Sequence, residues 1–130
     1  MEERSPMPTA SLSTIRVIRY APDGGHSARE WLKAFGALKL PPVISDGESF
    51  RIGVQITKKR AIDVIVRIED LASVGDRLRG RLGRTRSDVL FRNRKACQKR
   101  VPGTSRPLAV LAAKHAGRPI RILVCQPKQD

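Results

Sequence analysis

Aromatic residues are scarce in this 130-residue chain: Tyr20, Trp31, Phe35, Phe50 and Phe91 are all there are. A core must therefore come chiefly from Ile, Val, Leu and Ala, and a platform that stacks successive unpaired bases on rings is disfavoured. Cysteine is rarer still. Cys97 and Cys125 are too few for a secreted disulfide scaffold, so free thiols in a reducing compartment are expected. No stretch approaches the roughly twenty apolar residues of a membrane span. The chain starts with Glu2 and Glu3 and lacks the apolar segment of a secretory signal. These absences lead us to expect a soluble protein that is not secreted, cytoplasmic or nucleoid-associated, or nuclear in a eukaryotic or viral setting, with no membrane partner. Paired CxxC or HxxxH spacings and Gly-rich phosphate loops are also missing, so neither a metal nor a cofactor is expected.

Acids are scarce too, and unevenly. The chain carries 26 Lys and Arg against 12 Asp and Glu, a net charge of +14. Between Arg77 and Arg106 eleven bases stand against one acid, Asp88, so ten of those net charges fall within this one segment. Such density is self-repelling unless a polyanion covers it, and nucleic acid is the default polyanion. A solvated charged face is the plainer reading of most charge runs, but it weakens when one sign so dominates. Arg makes up nine of the eleven bases. Its planar fork meets phosphate bidentately, whereas Lys acts as a point charge.

The organisation around this segment is legible from pattern. Residues 1–13, with Pro6 and Pro8, read as a flexible leader; 14–126 read as one α+β domain, and 127–130 as a tail. Thr14 to Tyr20 is rich in β-branched residues and predicts a strand. Ser27 followed by Glu30 is a capping-box pattern; Trp31, Leu32, Phe35 and Leu38 then recur at helical spacing until Pro41-Pro42. Phe50, Ile52, Val54 and Ile56 alternate with Arg51, Gly53 and Gln55, and Ile62, Val64, Val66 and Ile68 repeat the pattern with Asp63 and Arg67 opposite. Thr57 to Arg60 between them predicts a hairpin loop with three positive charges.

The spacing then predicts a helix from Glu69-Asp70 with a stripe of Leu71, Val74, Leu78 and Leu82. Another is expected from a Ser87 cap to about Arg100. A buried helix over Leu108 to Ala116 is expected next, opened by Pro107 and closed by Gly117. Ile120 to Cys125 reads as the last strand. The resulting order, β-α-β-β-α-α-α-β around a mostly antiparallel sheet, contains a ferredoxin-like β-α-β-β-α-β subset.

Candidate contact residues are Arg77, Arg79, Arg81, Arg84, Arg86, Arg92, Arg94, Lys95, Lys99 and Arg100. On one continuous helix Arg92, Lys95 and Lys99 form a basic stripe, with Leu90, Cys97 and Val101 on the opposite side facing the core. Arg94 projects near the apolar side and must snorkel outward. Lys58, Lys59 and Arg60 at the hairpin tip offer a second contact. Duplex DNA or structured RNA, held by its backbone, is the expected partner.

Two other readings stay open. His26 and His115, with Lys114 nearby, could serve as the base and acid of a small toxin-like ribonuclease. The basic face could instead cover an acidic protein surface, as an inhibitory or accessory module from a mobile element or virus does on nucleic-acid-handling machinery. The edges of the first and last strands offer a route to a homodimer.

Overall fold

The computed structural model describes residues 10–21, 26–40, 46–57, 59–71, 73–101 and 103–127. In chain order they form β1 (Ala10–Tyr20), α1 (Ala28–Gly36), β2 (Lys39–Leu40), β3 (Ser49–Thr57), β4 (Arg60–Asp70), α2 (Val74–Arg81), α3 (Arg86–Arg92), α4 (Arg94–Arg100), β5 (Thr104–His115) and β6 (Arg118–Pro127). The strands lie side by side as β2-β1-β5-β6-β4-β3, and every pairing is antiparallel. The class is α+β with an antiparallel sheet.

Strand alternation gives that sheet two different faces. One presents Val64, Val66, Ile68, Leu111, Ile122 and Val124 to Trp31, Ala34 and Phe35 of α1. Helix α1 forms where expected: Glu30 N donates to Ser27 Oγ at 3.2 Å, and Ser27 N donates to Glu30 Oε1 at 3.0 Å. Those backbone and side-chain bonds to Ser27 hold the Glu30 carboxyl below the usual carboxylate range. Leu32, on the outer side of the helix, is exposed, and the helix ends at Gly36. Pro41 and Pro42 lie outside the described residues. Helix α1 packs on both β1 and β3, strands from opposite flanks of the sheet, so the sheet must curl around it. Burying Trp31 and Phe35 in that trough contributes about 2–3 kcal/mol each.

The second face carries a smaller core. Leu90 of α3 and Cys97 and Val101 of α4 pack with Ile65, Val110, Leu123 and Cys125. Both cysteines are free thiols, with sulfur atoms 3.5 Å apart. The contact lowers the Cys97 pKa, whereas the same contact and burial raise that of Cys125. The prediction that Leu90, Cys97 and Val101 face inward is met.

Several expectations are corrected. Leu108 to Ala116 is strand β5, and it forms a hairpin with β6 in which His115 pairs with Arg118. Buried on both faces, this strand reads as an unbroken apolar run, which periodicity cannot tell from a core helix. Pro107, expected at a helix start, sits at a register shift in β5, where a missing N–H is tolerated. Gly117, expected as a helix stop, is the second residue of the turn: Ala116 and Gly117 have φ of 51° and 79°, the two positive values of a type I′ hairpin. A ferredoxin-like sheet sets its first strand between its third and fourth, whereas here β5 and β6 separate β1 from β4, so that subset is not the arrangement found. Strand β6 is interior, which removes the last strand as a dimer edge. Residues 10–13 belong to β1 rather than to a leader, and Pro127 belongs to β6.

Candidate nucleic-acid interface

The helical layer begins with a polar strip on the sheet. On β4, Arg67 and Glu69 share the face of Ile65; on β6, Arg121 shares the face of Leu123. Glu69 pairs directly with Arg121, and Arg67 with Leu123. All three charged residues are buried, with 7%, 9% and 8% of their surfaces exposed for Arg67, Glu69 and Arg121. Alternation places Arg67 opposite Ile62, Val64, Val66 and Ile68, and on that side the helices bury it.

Glu69 and Asp70 were expected to open a helix; they end β4 instead. Glu69 still serves a helix start, but that of α3. Its Oε2 accepts from Arg86 N at 3.1 Å, and its Oε1 accepts from Ser87 N at 2.9 Å and Ser87 Oγ at 2.8 Å. The residue that caps α3 is Thr85, not Ser87. Thr85 Oγ1 accepts from Asp88 N at 3.2 Å, and Asp88 Oδ2 accepts from Thr85 N at 3.1 Å and from Thr85 Oγ1 at 2.7 Å. Asp88 Oδ1 meets Arg19 Nε of β1 at 3.0 Å. Burial pushes the Arg121 guanidinium below its ordinary range, opposed by the charges of Asp88 and Glu69 and reinforced by Arg16.

The single helix expected from Ser87 to Arg100 is two. Asn93 leaves helical backbone (φ −107°, ψ 86°), ends α3 and caps α4, its Oδ1 accepting from Ala96 N at 3.2 Å. Arg92 therefore sits on α3, and Lys95 and Lys99 on α4. Arg92 and Lys95 stay together across the break, whereas Lys99 lines none of the clefts described next. Val89, Arg92, Asn93, Arg94 and Lys95 line one cleft, and a second adds Ile18, Arg19, Tyr20 and Phe91 to Arg92 and Arg94. A third, of about 340 Å³, joins Val89 to Arg84, Arg86 and Arg100. Shared residues make the three clefts one continuous surface.

Arg77, Arg79, Arg81, Arg84, Arg86, Arg92, Arg94, Lys95, Lys99 and Arg100 are all exposed. Arg94 turns outward, as required. Arg106 is half-buried and donates from Nε to Gln126 Oε1 at 2.9 Å. Among the described residues, ion pairs within 4 Å join Arg19 to Asp88, His26 to Glu30, Arg51 to Asp63 and Arg118 to Asp70. Leu78 and Leu82 do not form a buried stripe: they are 57% and 60% exposed, and only Leu71 of the expected set is buried among the described side chains. Gly80 instead faces the sheet, where an added Cβ would stand 2.9 Å from Arg121 Nη2.

The hairpin tip lies elsewhere. Lys58 falls outside the described residues; Lys59 and Arg60 are exposed, and Arg60 pairs with Thr57. Arg60 stands five residues, about 17 Å, up β4 from Ile65, where the helical layer packs. Its charge is felt by Glu30 at the start of α1. His26 and His115 are not brought together either. His115 is at the end of β5 opposite Leu12, whereas Ala109, about 20 Å back along the strand, meets Tyr20 at the end leading to His26. His26 packs edge-on against Trp31 with ring centroids 5.2 Å apart, and His115 is buried. The paired-histidine reading loses its geometry.

The sequence reading missed the buried Arg67, Glu69 and Arg121, and it missed Tyr20 as a neighbour of Arg92 and Arg94. Tyr20 is 41% exposed, an aromatic ring bordering the basic surface. Comparison with known proteins adds no family: no family model, curated protein or solved structure matches the chain.

Proposed function

We propose that this protein binds nucleic acid through the phosphate backbone, using the exposed Arg and Lys side chains of α2, α3 and α4 and the segments between them. The observation that carries the reading is the fate of Asp88. The one acid between Arg77 and Arg106 is buried, and its ion pair is with Arg19, from outside that segment, rather than with any of the eleven bases around it. Apolar side chains dock α3 and α4 on the sheet, and their guanidinium groups point away. That division suits a phosphate-tracking surface, with affinity arising mainly from counterion release.

A duplex or a structured RNA fits such a surface better than an extended single strand, because one tyrosine cannot stack a run of bases. About six phosphate contacts correspond to a log–log salt slope near −5 on duplex DNA. The test is fluorescence anisotropy on labelled duplex DNA, hairpin RNA and single strands across a salt series. The triple variant Arg92→Glu, Lys95→Glu, Lys99→Glu should lose binding while keeping the wild-type circular dichroism and melting temperature. A triple variant that binds normally, or a slope near zero, rejects this surface. A protein that binds no nucleic acid but captures an acidic protein would favour the interaction-module reading.

A further inference from the structure

Arg67 is the least explained residue in the molecule. Only 7% of its surface is exposed, yet its Nη1 is closed off from solvent without a hydrogen-bond partner. The ion pairs given by the structure leave it out. A buried guanidinium without compensation is destabilising, so a fold that retains one needs another reason for it.

The surroundings supply that reason. Arg67 lines the cleft of about 340 Å³ that also receives Arg79, Arg84, Arg86 and Arg100. Three carboxylates border the same cleft against five arginines; each makes a bond of its own, although Asp70 Oδ1 is buried without a hydrogen-bond partner. Glu69 holds the start of α3, Asp70 Oδ2 meets Arg118 Nη2 at 2.8 Å, and Asp46 Oδ1 accepts from Asp70 N at 2.9 Å. Gly47, at φ 80°, approaches the same guanidinium: a Cβ there would stand 3.4 Å from Arg67 Nη2. A pre-oriented buried donor with flanking guanidinium groups at the cleft wall suits a compact tetrahedral oxyanion with several acceptor oxygens.

We infer that this cleft is a phosphate-binding site with Arg67 as its inner ligand. The inference rests on the proposed function only for the source of the phosphate, which is either a group on a nucleic-acid strand or the free ion. The site itself is tested without nucleic acid. Melting of the full chain is followed in sodium phosphate and in sodium chloride of equal ionic strength, for wild type and Arg67→Met. Phosphate should raise the wild-type melting temperature by several degrees and leave Arg67→Met unmoved. In chloride, Arg67→Met should melt at or above the wild-type temperature, because methionine keeps the apolar stem without the uncompensated charge.

An equal phosphate shift in both proteins overturns the inference. So does a variant that melts well below wild type in chloride or fails to fold, since Arg67 is then a structural cation. A second arm compares 5′-phosphorylated with 5′-hydroxyl oligonucleotides. A preference of about tenfold that vanishes in Arg67→Met assigns the site to strand ends; equal affinities weakened by competing phosphate assign it to internal phosphates. If only the melting shift is seen, the ligand is the free ion. Loss of binding in the Arg92, Lys95 and Lys99 variant is read separately, so either proposal can fail alone.

Discussion

Arg19 on β1 and Asp88 on α3 meet at 3.0 Å, with the carboxylate almost fully buried and the arginine side chain about one-third exposed (32%). The pair ties the first long strand to α3 and gives the Asp88 carboxylate a partner outside the Arg77–Arg106 segment. Arg19→Met leaves Asp88 with only its Thr85 bonds. We expect a loss of about 2 kcal/mol, less than for a fully buried pair because Arg19 retains solvent. For a chain of this size that is a fall of roughly 6–8 °C in melting temperature. Adding Asp88→Asn should recover part of it, giving a measurable coupling in a double-mutant cycle. A change within about 0.5 kcal/mol would show the pair to behave as a surface contact.

The type I′ turn offers the opposite kind of test. Ala116 holds a left-handed backbone at φ 51°, which costs an alanine roughly 1 kcal/mol. Ala116→Asn creates the Asn-Gly pair that such turns favour and should stabilise the protein by about 0.5–1 kcal/mol. Chemical denaturation reads this directly; a loss of stability contradicts the assigned turn.

Leu78 and Leu82 should tolerate polar replacement. With both side chains more than half exposed, Leu78→Gln with Leu82→Gln should shift stability by less than about 0.5 kcal/mol. Leu90→Ala, by contrast, empties a fully packed position and should cost about 2–5 kcal/mol. Equal costs at the two sites would mean that α2 packs through its leucines after all.

Charge reversal at the hairpin tip separates two basic regions. Lys59→Glu with Arg60→Glu acts near the start of α1, away from the α3 and α4 surface. The salt slope of binding should therefore stay unchanged. A slope shallower by about 2 would place the tip on the nucleic acid.

How much of this was visible beforehand depends on local chemistry. The Ser27–Glu30 capping box, the β3–β4 alternation and the inward set of Leu90, Cys97 and Val101 each rest on neighbours in sequence, and each appears as read. Strand β5 was misread because a strand covered on both sides loses its alternation. The break at Asn93 was missed because an asparagine inside a helical pattern also fits a continuous helix. The candidate interface was visible as composition but not as shape. Nothing near Arg67 in sequence says that α3 and α4, which start at Arg86 and Arg94, will cover it.

The central seam has a consequence for how the protein is made. Ser13 donates to the Lys114 carbonyl across 101 residues, and apart from β5 the only strand paired with β1 among the described residues is the two-residue β2. During synthesis, then, the first strand and the arginine-bearing helices all leave the ribosome before the hairpin that seats them exists. Until β5 and β6 arrive, the strongly cationic helices lack Val110, Leu123 and Cys125 to dock on, so the timing of sheet closure decides how long their apolar sides stay exposed.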